Sequence, residues 1–155
     1  MGAISSVTFV PLATAVPAAG RVAQTCGGAS SRSSQLPVSS SEVERLAKSF
    51  ASAYGDEDAA RISRLLTADV QRTSPDDSQT GRRAVVAAYE SQFARNAIKD
   101  FKLGDVAAEG GPSGRATAHY TVTYDRAKPT PGQMTWIVIN DKGRPRISLI
   151  AFRPD

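Results

Sequence analysis

The sequence predicts an α+β domain over residues 41–155, preceded by a flexible tail over residues 1–40. Apolar residues recur at helical spacing in the first half of this domain, and the spacing then changes to the alternation typical of strands. Short Gly-bearing connections separate the later segments, which favours hairpins and an antiparallel sheet of about four to five strands. Because the helices must bury their apolar stripes on one face of that sheet, the expected element order is α-α-β-α-β-β-β-β.

Composition excludes several classes of protein. The chain has 155 residues, of which 41% are hydrophobic and 22% are charged, and this balance is typical of a globular protein. One Cys cannot form an internal disulfide, and one His with one Cys cannot supply a His/Cys zinc site. No apolar run reaches the roughly 18 residues that a transmembrane helix needs. We therefore expect neither a transmembrane helix nor a metal or cofactor.

The tail over residues 1–40 has the composition of a linker. It contains no Asp or Glu and only two basic residues, and it is rich in Ser, Ala, Gly and Pro. Such a segment buries too little apolar surface to order itself. An export signal or the remnant of a membrane anchor is the alternative for residues 7–19, although Pro11 and Pro17 interrupt this stretch and no Lys or Arg precedes it. The compartment stays open: cytoplasmic, or extracytoplasmic if the tail is an export signal.

Three helices are expected in the first half of the domain. The first begins at Ser41, which would form a capping box with Glu44, and ends at Gly55. The second is short and follows Asp56 as its N-cap, and the third opens at Gly81. The apolar faces comprise Val43, Leu46, Ala47, Phe50, Ala51 and Tyr54 in the first helix, Ile62, Leu65 and Leu66 in the second, and Val85, Val86, Tyr89 and Phe93 in the third.

Five segments read as strands. They are residues 69–73, 101–108, 115–125, 133–140 and 146–152. The first is followed by turn-forming residues, Ser74-Pro75-Asp76-Asp77. Three Gly-bearing clusters, at residues 110–114, 128–132 and 141–143, connect the last four. The sheet is therefore expected to form mainly from the C-terminal third of the chain.

Three segments ahead of the closing strands form a recognisable set: Phe50-Ala51-Ser52-Ala53-Tyr54, Leu65-Leu66-Thr67-Ala68-Asp69-Val70 and Gly81-Arg82-Arg83-Ala84-Val85-Val86-Ala87-Ala88-Tyr89. With the four closing strands, they resemble the nuclear transport factor 2-like superfamily, also called cystatin-like or SnoaL-like, over residues 41–153. The resemblance implies a curved sheet wrapped around a long helix, forming a cone with a pocket at its open end. Its members include ketosteroid isomerases, polyketide cyclases, dehydratases and non-catalytic accessory domains, so the fold alone does not choose a function.

The resemblance also indicates where a catalytic base would lie. Isomerases of the superfamily use a carboxylate on the first strand, directly before a Pro, and the matching position in this sequence is Ser74, before Pro75. A Ser hydroxyl cannot remove a proton from carbon without a base beside it, which disfavours isomerase chemistry.

Asp69, Asp76 and His119 are the remaining candidate catalytic residues, and Tyr54 is an alternative partner for either carboxylate. Each candidate also has a structural interpretation. Asp69 follows the second helix and could bond to the local backbone, whereas Asp76 occupies a turn. Strand alternation places His119, the one His of the chain, on a polar outer face beside Thr residues, unless a bulge intervenes.

Five aromatic residues with a polar tip are candidates to line a ligand pocket: Tyr54, Tyr89, Tyr120, Tyr124 and Trp136. Such a lining favours a flat, mostly apolar ligand with one or two polar groups. Ordinary core packing is the alternative for all five.

Two strands near the C terminus carry apolar residues on both faces. The helices can cover one face, and we expect a second copy of the chain to cover the other. The residues assigned to this homodimer interface are Ile137, Ile139, Ile150 and Phe152. Nucleic acid is a disfavoured partner, because the net charge is only +4 and no nucleic-acid motif is present.

Two hypotheses about function follow. The first is a non-catalytic accessory module that binds a small ligand or dimerises. The second is a SnoaL-like enzyme, a cyclase, isomerase or hydrolase acting on an apolar small molecule, which would need a buried acid/base pair. Polar side chains that converge in the cone with perturbed pKa values would favour the enzyme. A cone filled by Phe, Leu and Tyr side chains would disfavour it.

Overall fold

The structure is a computed structural model and describes residues 36–155. The predicted linker and the export-signal alternative fall on residues outside this range, apart from residues 36–40. In that short stretch Val38 is buried, and it exchanges two backbone hydrogen bonds of 2.8 Å with Gly111. The folded unit therefore begins before residue 41, where the helical pattern places its start.

Residues 36–155 contain three helices, as predicted: α1 is Ser40–Gly55, α2 is Ala59–Leu65 and α3 is Arg82–Arg95. Ser39 rather than Ser41 caps α1, and it forms the capping box with Glu42. The cap lies two residues earlier than predicted because the β-bridge between Val38 and Gly111 fixes the backbone directly before Ser39. Within the described residues, no helix is long and apolar enough to cross a bilayer.

The other two helices begin at caps of different kinds. Asp58 rather than Asp56 caps α2, and its carboxylate accepts a hydrogen bond of 2.8 Å from the Arg61 backbone N–H. Asp56 instead pairs with the Arg61 guanidinium at 2.8 Å. Gly81 precedes α3 with a φ of 93°, a backbone conformation that residues with a side chain rarely adopt.

In the described part of the chain, seven strands form one sheet. Their bounds are β1 Leu66–Ser74, β2 Asp77–Thr80, β3 Ile98–Leu103, β4 Ala107–Glu109, β5 Ser113–Tyr124, β6 Thr130–Asp141 and β7 Arg144–Pro154. The strand order is β2-β1-β7-β6-β5-β3, and β4 also pairs with β5. Helix α1 packs against β3 to β7, so the sheet curves around this helix as an open cone.

This sheet confirms the α+β class and differs from the prediction in two details. The described sheet has seven strands, whereas the sequence predicts four to five. The difference arises because β2 and β4 contain only 4 and 3 residues and show no clear alternation, so the sequence does not predict them as separate strands. The β1–β7 pair is parallel, whereas every other pair is antiparallel. The chain between β1 and β7 runs through α3 and the intervening strands and not through a hairpin. Such a long connection allows the two strands to pair in parallel.

A β-bulge in β7 decides which of its side chains face the helices. Ile137 pairs with Leu149, whereas the next residue of β6, Val138, pairs with Ile147. Ser148 is therefore an extra residue, and its hydroxyl donates to the Ile137 carbonyl oxygen at 3.3 Å. The alternation of inward and outward side chains reverses at this residue.

The bulge corrects the predicted dimer interface. Ile150 is fully buried and the Phe152 ring packs 6.1 Å from that of Tyr54, so both residues face the helices and not the outside. The apolar side chains that remain on the outer face are half-buried. They are Ile137, Ile139, Leu149 and Ala151.

Candidate functional site

Aromatic rings fill the space between the helices and the inner face of the sheet. They belong to Phe50, Tyr54, Tyr89, Phe93, Phe101, Tyr120, Trp136 and Phe152. Neighbouring ring centroids lie between 5.0 and 6.5 Å apart, and most pairs meet edge to face. This arrangement is the one that the charge distribution of aromatic rings favours.

The five aromatic residues predicted to line a pocket are all part of this interior. Tyr54, Tyr89, Tyr120 and Trp136 are buried, and Tyr124 is partly exposed. The hydroxyl oxygens of Tyr54 and Tyr124 lie 3.3 Å apart. The four buried rings pack against other aromatic rings of the interior, as the core-packing alternative requires. The polar tips meet where Tyr124 approaches the surface.

Polar side chains from five elements meet at the edge of the rings. We call this set the Arg72 cluster: Arg72 on β1, Gln79 on β2, Gln92 on α3, Tyr54 on α1 and Tyr124 on β5. Arg72 donates to Gln79 Oε1 at 2.7 Å and to Gln92 Oε1 at 3.3 Å. Gln92 Nε2 in turn donates to the hydroxyl oxygens of Tyr54 at 2.6 Å and Tyr124 at 3.2 Å.

The guanidinium of Arg72 lies between two aromatic rings. Its Cζ atom is 5.1 Å from the ring centroid of Tyr89 and 5.3 Å from that of Phe152, within the range of cation–π attraction. Only 12% of the Arg72 side chain is exposed. Its ion-pair partner is Asp77, whose carboxylate lies 3.8 Å from Nη1, too far for a hydrogen bond, and is 57% exposed.

Several buried donors of the interior have no hydrogen-bond partner among residues 36–155. They are Arg72 Nε, the Tyr89 hydroxyl and Trp136 Nε1. A buried polar group that forms no hydrogen bond destabilises a fold by about 1–3 kcal/mol. Arg72 Nε and Trp136 Nε1 can only donate, so two N–H groups of the described interior lack an acceptor.

Burial keeps the tyrosine hydroxyls of the interior protonated. It raises the pKa of Tyr54 and of Tyr89 well above the ordinary value of 10.0. Tyr124 adds to the increase in the pKa of Tyr54, whereas the positive charge of Arg72 opposes the increase in that of Tyr89. Burial also raises the pKa of Tyr120. These hydroxyls are neutral donors at physiological pH.

The predicted catalytic candidates lie outside this interior. Asp69 and Asp76 are exposed, on β1 and in the turn that follows it. His119 is exposed on the outer face of β5, where strand alternation places it, and borders a groove of about 330 Å³. The Ser74 hydroxyl donates to the Asp77 carbonyl oxygen at 3.2 Å and so stabilises the turn. None of these side chains converges with Tyr54.

No metal site is evident in the part of the chain that the structure describes. Across residues 36–155, no three His, Cys, Asp or Glu side chains are placed together so that they could hold a metal ion.

Three members of the Arg72 cluster are missing from the sequence-based candidates: Arg72, Gln79 and Gln92. Two of them carry a detectable signal. Arg72 follows Val70 at a spacing of two on a strand, so the two share a face. Gln92 follows Tyr89 at a spacing of three on a helix and shares its apolar face. Gln79 gives no such signal, because β2 is short and polar throughout.

Comparison with known proteins agrees with the resemblance to the nuclear transport factor 2-like superfamily. The profile of the SnoaL-like domain family matches residues 47–144, which is more than half of the chain. Among curated proteins, none matches the sequence significantly.

Solved structures share the fold at low sequence identity. A nuclear transport factor 2-like protein of unknown function from Pseudomonas putida aligns with a TM-score of 0.66 and 16% identity, over 74% of this chain and 84% of its own. A ketosteroid isomerase-like protein from Erwinia carotovora aligns at 0.64 and 14%, over 74% and 95%. A protein of unknown function with a cystatin-like fold from Nostoc punctiforme aligns at 0.64 and 13%, over 74% and 89%. At these identities the similarity establishes the fold alone.

Proposed function

The chain belongs to the SnoaL-like domain family, and we propose that it is a non-catalytic module that binds a small, largely apolar molecule and pairs with a second copy of itself. The Arg72 cluster carries the proposal. It joins an aromatic interior to the surface and includes a buried donor, Arg72 Nε, that has no partner in the described part of the chain. Ligand sites combine an apolar lining with a few placed polar groups, and this edge of the interior has that composition.

The same cluster favours binding over catalysis. A SnoaL-like cyclase, isomerase or hydrolase needs a group that accepts a proton in the transition state. Among the described residues, the Arg72 cluster itself consists of an Arg, two Gln side chains and two Tyr hydroxyls, none of which is a carboxylate or imidazole base. The nearest carboxylate is Asp77, which lies 3.8 Å from the guanidinium and is 57% exposed. The candidate bases Asp69, Asp76 and His119 are exposed and separate. An interior filled by aromatic rings supports the same choice.

The aromatic lining also limits the ligand. Tyr124, Phe93 and Phe152 are partly exposed, so they border the surface beside the Arg72 cluster. A flat apolar body would stack on such rings, and one polar group would reach the donors behind them. The proposed ligand is therefore small and flat, with its polar group at one end.

The outer face of the sheet supports pairing between copies. Ile137 and Leu149 are cross-strand partners at the centre of this face, and Thr135 and Ala151 are partners beside them. Three of these four residues are apolar and none is charged. Such a centre with less apolar neighbours is typical of a protein interface.

Native mass spectrometry of the purified full-length chain tests both parts of the proposal. We expect a dimer that retains a small-molecule mass under gentle desolvation. Gln92→Leu removes the link between Arg72 and the two Tyr hydroxyls, so this variant should remain dimeric and lose the small molecule. Ser91→Leu changes an exposed neighbour on the same helix and should keep it. A bare chain that no aromatic compound stabilises against heat would contradict the ligand-binding role.

A further inference from the structure

We propose that the Arg72 cluster binds the carboxylate of a flat apolar acid, and that the Asp77 side chain covers this position until the ligand arrives. The inference rests on the proposed ligand-binding role and specifies the chemical class of the ligand. It follows from the donors, the charges and the exposure of the residues in the cluster.

The Arg72 cluster contains more hydrogen-bond donors than acceptors. An Arg guanidinium has five N–H donors and no acceptor. Among the residues that the structure describes, Arg72 donates to the neutral amide oxygens of Gln79 and Gln92, and its buried Nε has no partner. Tyr54 and Tyr124 accept from the same Gln92 amide. Their hydroxyl oxygens lie 3.3 Å apart, so one O–H can donate to the other hydroxyl and the second O–H remains for a ligand. A carboxylate, which only accepts, would match this surplus of donors.

The charge of the cluster is also incompletely balanced. Arg72 stays protonated in a protein and is mostly buried, so its charge needs a partner. The Tyr89 and Phe152 rings supply part of that compensation through their faces. The remaining partner is Asp77 at 3.8 Å, and its exposure means that water screens the attraction. An oxyanion held at the guanidinium edge would complete the compensation.

Asp77 is placed as a competitor for that anion. It is the first residue of β2, directly after the turn at Pro75 and Asp76, and its side chain is 57% exposed. Its carboxylate accepts a hydrogen bond from Gln79, the residue that also binds Arg72. If a ligand carboxylate displaced Asp77, Arg72 would lose a distant, solvated ion pair and gain a direct ion pair with the ligand. Asp77 therefore lowers the affinity for acids without being needed to bind them.

The test uses 2-naphthoate and its uncharged analogue 2-naphthamide, with affinities for the full-length chain measured by isothermal titration calorimetry. We expect the acid to bind about tenfold more tightly than the amide, as charge-assisted hydrogen bonds predict. Arg72→Gln should abolish this preference. Asp77→Asn should raise the affinity for the acid about threefold or more by removing the competing charge. Asp76→Asn makes the same charge change at the neighbouring exposed residue and should leave the affinity unchanged.

The outcomes separate the two proposals. Equal binding of acid and amide would overturn the carboxylate site and leave the ligand-binding role in place. Binding of neither compound would overturn the carboxylate site, and the small-molecule mass retained in native spectra would then decide the wider role. Because Asp77 and Asp76 are exposed, their variants should fold even if Arg72→Gln does not. Identical affinities in the two Asn variants would refute the competition.

Discussion

Burial disfavours the phenolate and therefore raises the pKa of Tyr54 and of Tyr89. Both hydroxyls stay protonated at a pH at which an exposed Tyr is ionised. In the unfolded chain the same hydroxyls ionise near pH 10. Below that pH both states are protonated, and these groups add no pH dependence. Above it, unfolding releases protons, so the free energy of unfolding falls by roughly 1.4 kcal/mol per pH unit for each of these tyrosines.

Alkaline titration of the native chain, followed by phenolate absorbance, checks this prediction. Tyr54 and Tyr89 should remain protonated past pH 10 and ionise only when the chain unfolds, with circular dichroism reporting the unfolding. Tyr54→Phe and Tyr89→Phe should each remove one phenol from that cooperative step. Ionisation of all four Tyr residues of the chain near pH 10, with the fold intact, would show that the interior is open to water.

At the scale of single residues, the sequence indicates the aromatic side chains of the site better than the polar ones. Periodicity places Tyr54 and Tyr89 on apolar helix faces, and both are buried in the structure. The position of Arg72 in the strand pattern predicts a buried side chain, whereas its charge predicts an exposed one. In most proteins a charged side chain is exposed, so the sequence favours the wrong location for Arg72. Its inward position depends on the rings of Tyr89 and Phe152, which come from distant segments and leave no local signal.

At the scale of elements, Gly81 determines how α3 begins and therefore where Tyr89 and Gln92 lie. Its φ of 93° belongs to a region that favours Gly. Gly81→Ala should lower the free energy of unfolding by about 1–3 kcal/mol, the cost of holding a side-chain-bearing residue at a positive φ with an extended ψ. Chemical denaturation with the slope held constant measures this difference.

A second Gly provides the matched control for that substitution. Gly55 is the last residue of α1, and an added Cβ would lie 3.4 Å from Phe101 Cβ, close to ordinary contact. Since Ala is about 1 kcal/mol better than Gly in a helix interior, Gly55→Ala should leave stability unchanged or raise it. Equal losses in the two variants would mean that the positive φ of Gly81 does not set the cost, since a Cβ at Gly81 would meet no atom closer than 3.9 Å.

The elements that the sequence predicts are those with a long, regular pattern. The three helices and the long strands β5, β6 and β7 lie where the periodicity places them. The bulge at Ser148 has no such signal, because it appears only as a shift in the pairing of β7 with β6. That single extra residue reverses the faces of Ile150 and Phe152. Strand faces can therefore be predicted from alternation only as far as the first bulge.

At the scale of the whole molecule, the sheet has two faces with different roles. The inner face packs on α1 and carries the aromatic interior. The outer face presents Ile137, Leu149 and Ala151 in neighbouring pairs, at intermediate exposure. Pairing of copies through the outer face would leave the Arg72 cluster free, because Arg72 lies on the inner side of β1. Dimerisation and ligand binding are thus predicted to be separable by mutation.

Leu149→Glu tests that separation. Near a two-fold axis the new carboxylates of the two copies would approach each other, and such like-charge contacts cost several kcal/mol. The dimer Kd should therefore rise about a hundredfold or more, and light scattering coupled to size-exclusion chromatography should show a monomer at micromolar concentration. Ala87→Glu adds the same charge to an exposed position on α3 and should leave the dimer intact. If the parent chain is monomeric, or if the Leu149→Glu chain is still dimeric, the outer face is not the interface. If the variant is monomeric and still binds 2-naphthoate, dimerisation and ligand binding are independent.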